Sequence, residues 1–353
     1  MPRFTVSVCG ILPALILAAL FSVAPFAFAQ QPGAQQSAAQ QPAQDQKAGD
    51  AQQPAETIKT SVNVVQLFFN VKDKHGALIP GLTKNDFEVY EDGKLQTVKY
   101  FTAETNLPLT LGILIDASGS QLRVLDMEKE AGGAFIKQVL TDKDEAYVIS
   151  FDITVDLLQD FTRDVRRLQS ALNKVKINTD FTSGIPGLGG GPVPQHNSPG
   201  TLLFDAVYLS AHDMLAKEIG RKAMILLTDG QDEGSRLKLK DAIEAGQKAD
   251  AIVYVLLCAD RGSYYSSGMA YYGEADMRKL TEQTGGRVIN VGNKFDKLKE
   301  AFDQIAAELR SQYNVGYVPL NTSLDGSFRK LEIKNKQSYK IQARAGYYAG
   351  HQD

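Results

Sequence analysis

Leu111-Gly112-Ile113-Leu114-Ile115-Asp116-Ala117-Ser118-Gly119-Ser120 is the stretch that decides how this 353-residue chain folds. An apolar run of strand length, rich in β-branched residues, ends in a carboxylate. Two hydroxyls follow at alternate positions, with a glycine between them. A strand of this kind delivers Asp116 to the carboxyl edge of a sheet, and the small residues let the backbone turn so that three oxygens converge. Hard divalent cations take such oxygen ligands and usually keep several waters. The same residue types after a strand also serve as turn formers and helix N-caps. Taken alone, the stretch allows both readings.

Two later stretches have related chemistry. Gly200-Thr201-Leu202-Leu203-Phe204-Asp205-Ala206 sets a threonine after a Gly/Pro-rich loop, at the start of an apolar-periodic helix. Ala223-Met224-Ile225-Leu226-Leu227-Thr228-Asp229-Gly230 is a second buried-strand run that ends in an acid and a glycine. Asp116, Ser118, Ser120, Thr201 and Asp229 together resemble the metal-ion-dependent adhesion site of von Willebrand factor type A domains, in that family's order.

Around these stretches, strands alternate with helices. Strand patterns cover 110–115, 146–151, 154–158, 222–228, 251–257 and 287–290. Helical patterns lie near 121–140, 163–175, 201–217, 236–248, 274–284 and 294–311, the last with Phe295, Leu298, Phe302, Ile305 and Leu309 on one stripe. The alternation predicts a doubly wound α/β sheet over residues 105–312, mostly parallel, with one short antiparallel strand after the turn at Asp152-Ile153. Ligands of such sheets bind at the carboxyl ends of strands, where Asp116 and Asp229 fall.

The flanks read as β-structure. In 57–104, Val65, Leu67, Phe69 and Val71 alternate with mostly polar neighbours, and Glu91-Asp92-Gly93-Lys94 marks a hairpin. Strand patterns return at 313–318, 328–333 and 339–344, inside a C-terminal segment 313–353. Neither set alone makes a stable sheet, so one small β-sandwich built from both ends of the chain is the simplest solution. Gly81-Leu82-Thr83-Lys84-Asn85-Asp86-Phe87-Glu88-Val89-Tyr90-Glu91-Asp92-Gly93 and Arg344-Ala345-Gly346-Tyr347-Tyr348 resemble the flanks of von Willebrand A-related proteins common in acidobacteria.

Arg3, the apolar run over 5–28 and Ala27-Phe28-Ala29 read as a secretory signal peptide over 1–29, which places the protein in the periplasm or outside the cell. A membrane enters the picture only if that segment stays uncleaved. Residues 30–56, rich in Gln, Ala and Pro, read as a disordered tether. Cys9 falls in the signal and Cys258 stands alone, so no disulfide is expected. A net charge of −3 without a long basic run argues against nucleic acid as a partner.

Two loops are candidates for recognition. Residues 182–200 are Gly/Pro-rich, contain His196 and lead into Thr201. Residues 261–273 interleave Tyr264, Tyr265, Tyr271 and Tyr272 with Gly and Ser, a composition suited to a binding surface.

The resemblance implies a function. In similar domains the two serines and the threonine contact the cation directly, while the aspartates often act through water. A cation such as Mg²⁺, Mn²⁺ or Ca²⁺ held mainly by neutral hydroxyls keeps an open coordination position. The Asp or Glu side chain of a protein partner can complete its shell. Enzyme motifs fit poorly. The second aspartate of aspartyl-phosphate phosphatases is Ser118 here, and G-x-S-x-G and G-x-x-x-x-G-K-[ST] are absent. The protein is therefore expected to be a binder, not an enzyme. Two alternatives are an envelope component with a vestigial site, and a metal-dependent hydrolase. Metal-dependent binding excludes the first, and turnover of phosphate esters would identify the second.

Overall fold

The computed structural model describes residues 64–103, 107–177, 200–259 and 272–350. The signal peptide, the tether, His196, Tyr264, Tyr265 and Tyr271 lie outside the described residues.

In chain order the elements begin with β1 (Val65–Lys72), β2 (Phe87–Glu91), β3 (Lys94–Gln96), β4 (Val98–Thr102) and β5 (Leu109–Asp116). There follow α1 (Leu125–Val139), β6 (Glu145–Phe151), β7 (Val155–Thr162), α2 (Val165–Lys174), α3 (Leu203–Leu209) and β8 (Arg221–Thr228). Next come α4 (Leu239–Lys248), β9 (Ala251–Leu257), α5 (Gly273–Thr284), β10 (Val288–Asn290) and α6 (Phe295–Arg310). The chain closes with β11 (Tyr313–Tyr317), β12 (Phe328–Asn335), β13 (Lys340–Gln342) and β14 (Gly346–Tyr348).

Every residue of β5 and of β9 is buried, as continuous apolar runs require when a parallel sheet is covered on both faces. The central sheet has the order β10-β9-β8-β5-β6-β7, parallel except for β7. Leu111, Ile113 and Ile115 point into the layer formed with α1, α2 and α6, where Phe135 stacks on Phe302. Leu114 points to the opposite layer, with Phe204, Ile243 and Met277 of α3, α4 and α5. After β5 the chain winds toward β6 in one direction and returns to β8 on the other side, so strand order reverses between β5 and β8. That reversal is the crevice where ligands of doubly wound sheets sit.

The two ends of the chain interleave in a sandwich of two antiparallel sheets, β13-β1-β11-β4 and β14-β12-β2-β3. Leu67, Phe69, Phe87, Val89, Val315, Tyr317 and Leu331 form its shared core. Asp92 and Gly93, with φ of 48° and 78°, make the two-residue turn that joins β2 to β3.

Four elements differ from the sequence pattern. The return strand of the hairpin at 91–94 is divided at Thr97, with β3 pairing β2 and β4 crossing to the other sheet beside β11. The antiparallel strand β7 is longer than expected and follows β6 through two register shifts. The helix expected over 201–217 is α3 followed by a π-turn and a 3₁₀ turn, which set Ser210 Oγ 2.5 Å from the buried Tyr147 hydroxyl. Phe295 of the apolar stripe is exposed at the start of α6, while Leu298, Phe302, Ile305 and Leu309 are buried.

One buried ionic network fastens the sandwich to α6. Glu308 accepts Lys72 Nζ at 2.8 Å, Arg287 Nε at 2.7 Å and Gln342 Nε2 at 3.1 Å. Asn70 Nδ2 donates to the Glu308 carbonyl at 2.8 Å. Burial would raise the Glu308 carboxyl, but Arg287 and Lys72 outweigh it and hold it below its ordinary value. Glu308→Ala would leave Lys72 buried without its counter-ion, so urea unfolding should show a loss of about 3–5 kcal/mol. A loss below about 1 kcal/mol, the level of a surface pair, would show that the network does not hold the two parts together.

Candidate metal centre

Asp116 closes β5 and is fully buried. Its Oδ1 accepts the Ser118 N–H at 2.9 Å, and its Oδ2 accepts the Thr228 hydroxyl at 2.6 Å. Burial raises the Asp116 carboxyl well above its ordinary value and the charge of Asp229 adds to the rise, against the pull of the Ser118 and Thr228 hydrogen bonds.

The turn after β5 bears on the two readings of the sequence. Asp116 does organise a turn, through the Ser118 N–H. Ser118 also occupies the N-cap of a 3₁₀ turn, Gly119–Arg123, but its hydroxyl makes no capping bond. Instead Ser118 Oγ lies 2.9 Å from Ser120 Oγ, and Ser120 faces solvent. The two hydroxyls therefore converge as a pair of neutral oxygens beside a buried carboxylate.

Asp229 follows β8 and is also buried, with Oδ1 accepting the Gln231 N–H at 3.0 Å. Gly230, at φ 81°, adopts a conformation that side chains disfavour. A Cβ on the facing Gly273 would lie 2.5 Å from the Gly230 carbonyl carbon, so the first turn of α5 sits directly on the Asp229–Gly230 backbone. Tyr272, 76% exposed, stands next to that contact.

Thr201 is buried between the loops that follow β6 and β8. It exchanges backbone hydrogen bonds with Glu233 at 2.7 and 3.0 Å, while the Leu202 N–H reaches the Asp152 carbonyl at 2.7 Å. The Ala117 N–H meets the Phe151 carbonyl at 2.8 Å, so the turns after β5, β6 and β8 are knitted together. Leu202, not Thr201, is the N-cap of α3, and no side chain caps that helix through it.

Three further residues complete the centre. Thr228 bridges the two acids' loops: its hydroxyl donates to Asp116 and accepts the Gly230 N–H at 2.9 Å. With its amide oriented so that both ends find a partner, the buried Gln121 carboxamide accepts the Asp229 N–H at 3.1 Å and donates to the Cys258 carbonyl at 3.3 Å. Glu128 of α1 is fully buried; among the described residues no N–H or O–H group reaches its carboxyl oxygens, and the Cys258 thiol is the polar group beside them. Burial pushes its carboxyl up to about 8 against the pull of the Cys258 thiol, with smaller upward contributions from Asp116 and Asp229. A carboxylate on the buried stripe of Leu125, Phe135 and Val139 was the signal in the sequence for Glu128. Thr228 and Gln121 had none beyond their place next to Asp229 and Ser120.

Among the described residues no group of three or more His, Cys, Asp and Glu is arranged to hold a metal. The donors that do converge are of another kind, carboxylates with hydroxyls, which suits a hard cation. Buried acids whose charges repel would be relieved by positive charge at this place.

No protein-family model matches the chain, and no curated protein matches it, so the narrower acidobacterial resemblance has no sequence match behind it. Solved structures do match. BatB from Bacteroides thetaiotaomicron is 19% identical over 57% of this chain and 98% of its own, with a TM-score of 0.40. Proximal thread matrix protein 1 from the mussel byssus, with a zinc-occupied MIDAS motif, is 14% identical over 62% of this chain and 50% of its own, with a TM-score of 0.44. This chain thus spans about half the length of the byssus protein. The vWF domain of the type V pili tip protein Mfa5 from Porphyromonas gingivalis is 13% identical over 57% of this chain and 94% of its own, with a TM-score of 0.41.

The acids give the metal-free protein a pH signature. A carboxyl raised on folding keeps a proton that the unfolded chain has released, so the folded state holds more protons between the ordinary carboxylate value and about 8. Stability must therefore fall as pH rises through this window, at about 1.4 kcal/mol per unit of raised pKa. In EDTA the urea midpoint should be higher at pH 5.5 than at pH 8, and saturating Mg²⁺ should narrow the gap. Stability that rises with pH in EDTA would show that these acids are not buried together.

Proposed function

We propose that this protein is an exported, metal-dependent protein-binding module and not an enzyme. Asp116, Ser118, Ser120, Thr201 and Asp229 hold a divalent cation, Mg²⁺ or Mn²⁺, with Ca²⁺ as a further candidate. The observation that carries this reading is the Ser118–Ser120 hydroxyl pair, 2.9 Å apart and unused as a cap, beside the buried Asp116.

The residues divide the work by charge. Ser118, Ser120 and Thr201 offer neutral oxygens, and Asp116 and Asp229 supply the negative charge from behind. Thr228 and Gln121 fix the acids by hydrogen bonds, so the donors need little rearrangement on loading. A cation bound there would supply an open, positively charged position for the Asp or Glu side chain of a protein partner. Tyr272, exposed beside Asp229, is the described member of the proposed recognition surface; Tyr264, Tyr265, Tyr271 and His196 complete it in this reading.

Export, to the periplasm or beyond the cell, rests on the sequence of residues 1–29. Among the described residues no helix is long and apolar enough to cross a membrane.

Mg²⁺ titration calorimetry tests the site. Ser120 is exposed, so Ser120→Ala removes a ligand without opening the core. The variant should unfold at the wild-type urea midpoint in EDTA, yet bind Mg²⁺ about tenfold or more weakly, ~1.4 kcal/mol. Equal Mg²⁺ affinity in the two proteins would contradict the assignment.

A further inference from the structure

A second feature lies away from the metal centre. Where the sandwich meets the α/β layers, a groove of about 1000 Å³ opens between β13 and β10. Its lining holds five basic side chains, Lys72, Lys74, Arg278, Arg287 and Lys340, against the acidic Asp73 and Glu282, a surplus of three positive charges. The whole chain carries −3, so this groove runs against the sign of the molecule.

The basic groups are not all neutralised from within. Lys72 and Arg287 share the single carboxylate of Glu308, and Arg278 pairs with Glu274. Lys74 and Lys340 are exposed, and neither forms an ion pair among the described residues. Burial lowers the Lys72 ammonium's pKa, Glu308 opposes that shift, and the nearby charges of Arg287 and Lys340 add to it, so positive charge is crowded at this end of the groove.

The walls of the groove narrow the choice of anion. Among the described residues β13 is an edge strand of its sandwich sheet, paired with β1 alone, and β10 is the edge of the central sheet, paired with β9 alone. Both edges contribute to the lining. An edge strand presents unpaired N–H and C=O groups, and a partner polypeptide can satisfy them by adding a strand. A glycan or a small anion can answer the positive charge but has no backbone to pair with the edges.

We propose that this groove is a second binding site, one that takes an extended acidic peptide by strand addition along β13 or β10, with Lys74 and Lys340 paired to its carboxylates. The site is independent of the metal centre, and its test is done without metal.

The probe is a fluorescein-labelled (Glu-Thr)₃ peptide, about 20 Å long when extended, measured by anisotropy against the full-length protein in EDTA. Binding is expected, and it should weaken at least about tenfold in Lys74→Glu/Lys340→Glu, which changes two exposed positions. Methylating alternate backbone nitrogens of the peptide should cause a similar loss, since it blocks strand pairing without changing charge. Ser120→Ala should bind the peptide as the wild type does. Undiminished binding by the double variant, or equal affinity for the methylated peptide, would overturn the proposal. So would a heparin hexasaccharide that binds through the same lysines more tightly than the peptide, which would make the groove a polyanion site.

Discussion

A parallel sheet buried on both faces has nowhere to keep polar chemistry except its strand ends. β5 is buried at every position, so the first place this strand can carry a functional group is its last residue, Asp116. The reversal of strand order between β5 and β8 opens a crevice at that same edge, and β8 arrives there with Thr228 and Asp229. The packing of the core thus decides where the candidate centre lies, and the loops decide what it contains.

The cost of this arrangement is electrostatic. Asp116 and Asp229 are buried near one another, and Glu128 is buried close to both, with a thiol, Cys258, as the polar group beside it. Isolated charges are expensive in such a place, and a group so placed protonates or gains a counter-charge. Thr228 and the Ser118 N–H offset part of that cost for Asp116. A divalent cation would offset more, and the convergent hydroxyls of Ser118 and Ser120 give it neutral ligands that add no further repulsion. Stability and binding are on this account linked through the same carboxylates.

Much of this was legible in the sequence because it depends on local pattern. Apolar runs ending at Asp116 and Asp229 identify buried parallel strands and their carboxyl ends. The Asp92-Gly93 turn and the strand patterns at both ends of the chain led to one sandwich. Other features depend on contacts distant in sequence. The crossing of β4 into the other sheet follows from its pairing with β11, more than 200 residues away. The π-turn after α3 begins at Ser210, whose hydroxyl meets that of Tyr147, 63 residues away, and the role of Glu308 follows from Lys72, 236 residues away. Gln121 reads as an ordinary polar residue, and only the backbones of Asp229 and Cys258 around it give its carboxamide a place as a bridge.

The central claim is that the ends of β5 and β8, together with Thr201, hold one hard cation. Anomalous diffraction from crystals grown with Mn²⁺ tests it most directly. One strong peak is expected within about 2.0–2.6 Å of both Ser118 Oγ and Ser120 Oγ, the range hard cations keep to oxygen. Anomalous density confined to other carboxylates, with none beside the two serines, would contradict it.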